Sequence, residues 1–424
     1  MTEDFLHFIW KYRLYSQNPA STEGEEIVVV DPGRYNTDAG PDFSNARVKI
    51  GGTLWAGNVE VHLKSSDWYQ HHHDEDDGYG NVILHVVFVH DREIVDRSGN
   101  FIPTLQLSDH MSDKMYRKYE YFLHNRNWIP CENDLELISP IIIKAWMERL
   151  FVERMERKSF ELQRFLDTNK NSLDETFYQV LAGNFGFKLN EQPFRVLSRM
   201  LSQQLISKHR NRLMQLEALY FGTAGLLNRE FKDEYPNALK QEFRFLRNKY
   251  SLPVMEGHLW KFLRLRPSNF PTIRISQFAA LQHQHENLFS KILETENHTQ
   301  IQALFDVKAS PYWDTHYTFD KPSARREKHL GKHAAQVIII NTVVQFLFLY
   351  GKIKSDSYFQ DKAVGLLIQL APEVNYITSG WKKSGIRAEN AFESQALLEL
   401  KNSYCNLKKC LHCGIGMSLL KMNA

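Results

Sequence analysis

The sequence predicts an α+β fold: a mixed β-sheet module with a flanking helix at the N-terminus, followed by a mostly α-helical domain. Three observations carry this. Short β-branched runs separated by Gly, Pro, Asn and Asp fill residues 26–107, whereas long helical spacing begins near Ser139. The run Asn81–Val89 (NVILHVVFV) is almost wholly apolar, the pattern of a strand buried on both faces. Ser139-Pro140 reads as an N-cap with proline at the first helical position. The expected domains are a module over 1–110, a linker over 111–138, and a helical domain over 139–424 that ends in a cysteine cluster. A chain of 424 residues suits two or three domains.

Within the module, Phe5, Phe8, Ile9 and Leu14 share a face, which predicts a helix over 3–15 with Thr2 as N-cap. A strand over Glu26–Val30 stops at Asp31-Pro32-Gly33. Arg47–Ile50 and Thr53–Ala56 flank a turn at Gly51-Gly52. Gly57-Asn58 reads as a second turn, before a strand over Val59–Lys64. Phe101–Leu107 suits an edge strand, because Pro103 cannot donate a ladder bond. Further along, Gly183–Gly186 and Tyr235-Pro236 break the helical stretches, and Ser310–Asp320 reads as an irregular aromatic loop.

Composition excludes several classes. With 43% hydrophobic and 24% charged residues, wholesale disorder is excluded. A net charge of +2 is too balanced to imply nucleic acid from charge alone. The longest apolar run, Val337–Tyr350 (VIIINTVVQFLFLY), is interrupted by Asn341 and Gln345 and reads as a buried helix, so no membrane is expected. The first residues carry acids where a secretory leader carries basic ones. Four cysteines do not make a disulfide framework, and a reducing, cytoplasmic compartment fits. Oligomeric state is not legible.

The chemistry concentrates in Gly40-Pro41-Asp42-Phe43 and in Gly57–Lys64 (GNVEVHLK). In a strand, Glu60, His62 and Lys64 share one face, while Val59, Val61 and Leu63 share the other. Asp42 precedes the hairpin leading to that strand and is placed to lie beside Glu60. Close carboxylates repel unless a cation joins them, and Mg²⁺ or Mn²⁺ would take their oxygens. Next comes Asp67-Trp68-Tyr69-Gln70-His71-His72-His73, followed by four acids, which is either a solvated loop or a set of ligands for Zn²⁺, Mn²⁺ or iron. His85, inside an apolar strand, must find a polar partner and is either a hydrogen-bonded core residue or a member of the cluster.

This layout resembles the PD-(D/E)XK nuclease superfamily over about 105 residues. Pro41-Asp42 matches the first half of its motif. Glu60-x-His62 matches the second, with histidine where that family has lysine, and Lys64 lies two positions further on the same face. Glu3 matches the upstream acid. The resemblance implies a restriction-nuclease-like core in which Asp42 and Glu60 bind metal while His62 and Lys64 position water and phosphate. Nearly the whole chain is also similar to an uncharacterised bacterial family, domain of unknown function 2851, on GPDFSNARV, GNVEVHLKSSDW, NVILHVV and YCNLKKCLHCGIG.

Cys405, Cys410 and Cys413 form C-x4-C-x2-C, with Cys131 or His412 as a candidate fourth ligand for zinc or an iron–sulfur cluster; the alternative is buried thiols on a terminal helix. Some nucleases of the resembled superfamily hold an iron–sulfur centre with one distant and three clustered cysteines. Two basic stretches, one with Arg264, Arg266 and Arg274, the other from Arg325 to Lys332, are either phosphate contacts or solvated faces. The expected function is a metal-dependent phosphodiesterase acting on nucleic acid. The alternatives are a non-catalytic nucleic-acid or protein-binding scaffold, and a transition-metal hydrolase using His71, His73 and His85.

Overall fold

A computed structural model describes residues 1–16 and 19–423. Helix accounts for 56% of the chain and strand for 12%, and the strands concentrate near the N-terminus, so the class is α+β. Contacts divide the chain into two units: Met1–Glu148 with Gly380–Ile386 and Leu398–Ala424, and Arg149–Ser379 with Arg387–Leu397.

The first unit opens with α1 (Glu3–Tyr12), which buries Phe5, Leu6, Phe8, Ile9 and Trp10. The helix stops at Arg13, whose left-handed φ of 53° ends it short of residue 15. The sheet then follows: β1 (Ile27–Asp31), β2 (Arg34–Tyr35), β3 (Phe43–Ile50), β4 (Thr53–Lys64), β5 (Val82–Val89) and β6 (Thr104–Gln106), with the short α2 (Asp67–Gln70) between β4 and β5. Its order is β1-β3-β4-β5-β6, with β2 also on β3. The β1, β2 and β4 pairings with β3 are antiparallel, whereas β4–β5 and β5–β6 are parallel. On β3 the residues Phe43, Ala46, Val48 and Ile50 are buried, the alternation of a strand with one face on the core.

Gly57-Asn58 is not a turn, because β4 runs unbroken from Thr53 to Lys64. A Cβ on Gly57 would lie 2.4 Å from Ile83 Cγ2 and 2.7 Å from the Asn81 carbonyl oxygen. Glycine here permits the close approach of the chain entering β5. The ladder shifts register near this point, between Phe43 and Ala46 and again between Asn58 and Val59.

A parallel pair needs a crossover, and β4–β5 uses residues 65–81. Trp68 anchors it: the ring is fully buried with Val82, Ile94 and Ile102, and its indole N–H donates to the Val95 carbonyl at 3.1 Å.

Residues 111–138, expected as a linker, belong to this unit and hold α3 (Asp113–His124). Its Met115, Tyr119 and Phe122 are buried, and Tyr119 stacks on Phe5 at 4.8 Å. The far end of the chain returns here too. Helix Gly414–Lys421 buries Ile415, Leu419 and Leu420, and Ser112 Oγ donates to the Asn423 carbonyl at 2.6 Å. The expected helical domain over 139–424 therefore loses its last segment to the first unit, because that segment's apolar face completes the first unit's core.

A long helix, α4 (Pro140–Thr168), begins at the expected proline, and the division between units falls inside it. The second unit is helical, apart from a small hairpin pairing His316–Thr318 with Lys321–Pro322 in the stretch read as an aromatic loop. Gly186 separates helices Leu173–Phe185 and Phe187–Met200. Val337–Tyr350 lies in a continuous helical run, Lys332–Lys354, that is long and apolar enough by length and composition to cross a membrane; 67% of its apolar window is buried within the structure. Asn184 meets this run, donating to the Asn341 carbonyl and to Thr342 Oγ1 at 3.0 and 2.8 Å.

Helix Leu213–Thr223 packs closely on Glu234–Tyr250 through Gly222, where a Cβ would lie 2.1 Å from the Phe243 ring. Gly222→Ala is expected to cost about 1–3 kcal/mol by forcing the helices apart, despite alanine's better helix propensity. Urea denaturation of the variant checks this; an unchanged or raised midpoint would show that the ring moves freely.

Candidate metal centre

The end of β4 is covered on both faces. Val59 and Val61 are buried on one, and Glu60 and His62 are only 5% and 2% exposed on the other. His85 stands opposite Glu60 on β5 and is fully buried. The crossover supplies the cover. His72 adopts a left-handed φ of 59°, between two histidines that both reach the cluster. His71 remains exposed, whereas His73 is buried and stacks on the Tyr79 ring at 3.8 Å.

Three short separations link four donor atoms. His62 Nε2 lies 3.1 Å from His71 Nδ1 and 3.5 Å from Glu60 Oε1, and His73 Nε2 lies 3.4 Å from the same carboxylate oxygen. Ligand atoms of His62, His71 and His73 all lie within 4.8 Å of one another. Four ligands at bonds of about 2.1 Å on a tetrahedron have edges of about 3.4 Å. The separations match that edge, and they are also hydrogen-bond and ion-pair distances between imidazoles and a carboxylate.

The surroundings hold the donors in place. His62 Nδ1 lies 2.9 Å from His85 Nε2, so a proton on Nδ1 donated to His85 leaves the Nε2 lone pair pointing at the cluster. The Asp42 backbone N–H donates to Glu60 Oε2 at 3.0 Å, and Val61 N–H returns a bond of 3.0 Å to Asp42 Oδ2. His7 Nε2, on α1, lies 3.1 Å from the same Asp42 oxygen.

Charge follows from burial. Burial, followed by the neighbouring His73 and His71, pulls His62 down to about 3. His85 is held well below the ordinary imidazole range by burial and then by His62. Both imidazoles are therefore neutral at pH 7, the state a metal ligand needs. Burial and then Asp42 raise the Glu60 carboxyl against the pull of His73. Burial lowers His7, but its hydrogen bond to Asp42 together with the negative charges of Asp42, Asp4 and Glu3 outweighs this, and the net shift is upward.

Asp42, Glu60, His62, His71, His73 and His85 thus come together. Lys64 lies exposed at the strand end, its backbone N–H donating to Asp67 Oδ2 at 2.9 Å. The acids after His73 include Glu75, Asp76 and Asp77 in solvent-exposed positions, and Asp77 pairs with Arg97. Glu3 is close enough to feel His7, Asp42 and His71, although burial is the largest influence raising its carboxyl. The sequence reading missed His7 and Tyr79. Position 7 is one helical turn after Glu3, so it faces the same way, and that spacing was the available signal.

Two of the basic residues considered for phosphate contact are buried instead. Arg274 donates to Gln277 and Asn269 at 2.8 and 2.6 Å, and Lys328 Nζ donates to the carbonyls of Asp314 and Arg326 at 3.1 and 2.7 Å. Both serve the interior of the second unit. The four cysteines all lie in the first unit, and His412 is exposed.

Fold and site together define an α+β protein with a buried imidazole–carboxylate cluster on a mixed sheet. The chain belongs to the family described as Protein of unknown function (DUF2851), whose model matches residues 3–376. No curated protein and no solved structure matches the chain.

Proposed function

We propose that the first unit is a metal-dependent, nuclease-like phosphodiesterase whose ion is held by Glu60, His62, His71 and His73. The observations that carry this reading are the three separations of 3.1–3.5 Å that link the four donor atoms and the mutual approach of the three imidazoles to within 4.8 Å. A donor set of three imidazoles and one carboxylate favours a transition metal over Mg²⁺. Mn²⁺ would suit this set, since it accepts imidazole and carboxylate together, and the exposed His71 leaves the cluster reachable from solvent. An ion held by Glu60, His62, His71 and His73 would supply a more acidic water for attack on phosphorus and would offset charge on the phosphate oxygens. Asp42 orients Glu60 through its backbone N–H. The nuclease-like element of the reading rests on Asp42, just before β3, bonding through its backbone N–H to Glu60 on β4, the two positions at which that superfamily's motif places its acids.

A second reading is favoured by the same residues: three imidazoles and a carboxylate would fill the four positions of a closed zinc site, and closed zinc sites are structural. Such a site would pin the crossover 65–81 to the sheet.

The test uses the full chain stripped of metal and resupplied with Mn²⁺, Zn²⁺ or Mg²⁺. Substrates are bis(4-nitrophenyl) phosphate and single- and double-stranded DNA and RNA. Mn²⁺-dependent hydrolysis that falls at least ~100-fold in Glu60→Gln is the expected result. One tightly held zinc per chain with no hydrolysis under any ion overturns the catalytic reading in favour of the structural one.

A further inference from the structure

The second unit holds an open cavity of about 650 Å³, a size that suits a small-molecule ligand. Its lining comes from helices Leu213–Thr223 and Glu234–Tyr250 and from the 3-10 turn Pro311–Thr315 with the serine before it. Residues 213, 214 and 217 fall on one face of the first helix, and Tyr235 and Ala238, three apart, fall on one face of the second.

Hydrogen bonds and ring stacking fix the walls. Tyr235 OH donates to Glu217 Oε2 at 2.6 Å and lies 3.1 Å from Ser310 Oγ. Ser276 Oγ donates to Glu217 Oε1 at 2.6 Å and accepts from the Ser310 backbone N–H at 3.0 Å. On the other side, Tyr312 OH donates to Asp233 Oδ2 at 2.6 Å and accepts from the Asp320 backbone N–H at 3.1 Å. The Tyr235 and Tyr312 rings stack at 4.5 Å, and His316 extends the stack on Tyr312 at 4.1 Å. A cavity held this way is formed before a ligand arrives, which lowers the ordering cost of binding.

Its charge has one sign. Glu217, Asp233 and Glu234 all contribute to the lining, and among the described residues no lysine or arginine does. Glu217 lies at the floor, only 1% exposed, with hydroxyl donors but no ion-pair partner among the described residues. A buried acid without a cation favours the arrival of positive charge. Asp233 meets His316 Nε2 at 3.4 Å, but this contact and the Tyr312 bond both fall on Oδ2. Among the described residues Oδ1 has no partner, so an acceptor for an N–H donor remains. Glu234 is exposed at the rim. The apolar part of the lining, Leu213, Met214 and Ala238, suits methylene groups.

We propose that this cavity binds an aliphatic ammonium ligand. Asp233 and Glu234 offset its charge, the first by accepting an N–H bond, and its methylenes lie against Leu213, Met214 and Ala238. The site belongs to the second unit and owes nothing to the histidine centre of the first.

The test is calorimetric titration of the full chain with cadaverine, with pentanediol as the uncharged counterpart of equal length. Saturable binding of cadaverine and none of pentanediol is expected. Asp233→Asn keeps an acceptor for Tyr312 OH and should weaken cadaverine binding at least about tenfold. Glu234→Gln, at an exposed position, should weaken it about threefold, and it carries the test if Asp233→Asn loses its helical circular dichroism. A lysine blocked at both backbone ends separates the two sources of this chemistry. Tighter binding than cadaverine assigns the cavity to a protein lysine, weaker binding to a free amine, and both support an ammonium site. No cadaverine binding at about 10 mM, equal binding of pentanediol, or unchanged affinity in every variant that folds overturns the proposal.

Discussion

Replacing His62 with alanine is expected to weaken binding of Mn²⁺ or Zn²⁺ to the metal-free chain by more than about 100-fold, beyond the 10–100-fold typical of losing an outer partner. His62 Nε2 is the hub of the cluster, 3.1 Å from His71 Nδ1 and 3.5 Å from Glu60 Oε1. Without it, an ion would retain one imidazole from an exposed loop position and one buried histidine, with Glu60 between. His85→Leu should give the smaller, outer-partner loss, because it removes only the group 2.9 Å behind His62 Nδ1 that fixes the ring's tautomer and orientation. Calorimetric titration of both variants against the wild type measures the order. Equal losses in the two would mean that His85 binds the ion itself; no loss in His62→Ala would remove His62 from the centre.

Much of this centre was legible because a strand's period is two. Glu60, His62 and their apolar neighbours separate by face on that rule alone, and an imidazole within NVILHVVFV announces a buried polar partner. The loop histidines were less so, since nothing local says that His72 turns left-handed and thereby lets His71 and His73 reach one cluster. Gly57-Asn58 misled because glycine serves turns and close approach equally well, and only the arrival of Ile83 and Asn81 tells them apart. The return of Gly414–Lys421 to the first unit was hidden for a different reason. Its apolar face shows that the helix packs, but the partner, α3, lies some three hundred residues earlier, and no periodicity names a partner.

Glu217→Ala should destabilise the second unit by about 3–5 kcal/mol, whereas Glu217→Gln should be mild. The Glu217 side chain is fully enclosed, accepting from Ser276 Oγ at one oxygen and from Tyr235 OH at the other, both at 2.6 Å. Alanine leaves a cavity, takes the acceptor from the buried Ser276 hydroxyl and leaves Tyr235 OH with only Ser310 Oγ at 3.1 Å, an unsatisfied buried hydroxyl costing about 1–3 kcal/mol beside the cavity. Glutamine keeps the volume and one carbonyl acceptor, and a hydroxyl can rotate to accept from its NH₂. Burial is the dominant influence and raises the carboxyl above its usual value, against the pull of Ser276 and Tyr235. The sign follows. Between the unfolded pKa near 4.5 and the raised folded one, the folded chain holds a proton that the unfolded chain has lost. Stability from this group is therefore full below that pH and declines as pH rises through the window, by at most about 1.4 kcal/mol per pH unit. Urea unfolding of the wild type and of Glu217→Gln across pH 4–8 isolates the effect, since all other titrations cancel in the difference. The wild type should lose stability relative to the glutamine variant as pH rises above 4.5. A difference that stays constant with pH, or that grows in the wild type's favour, would mean that Glu217 folds as a carboxylate stabilised by its hydroxyl donors.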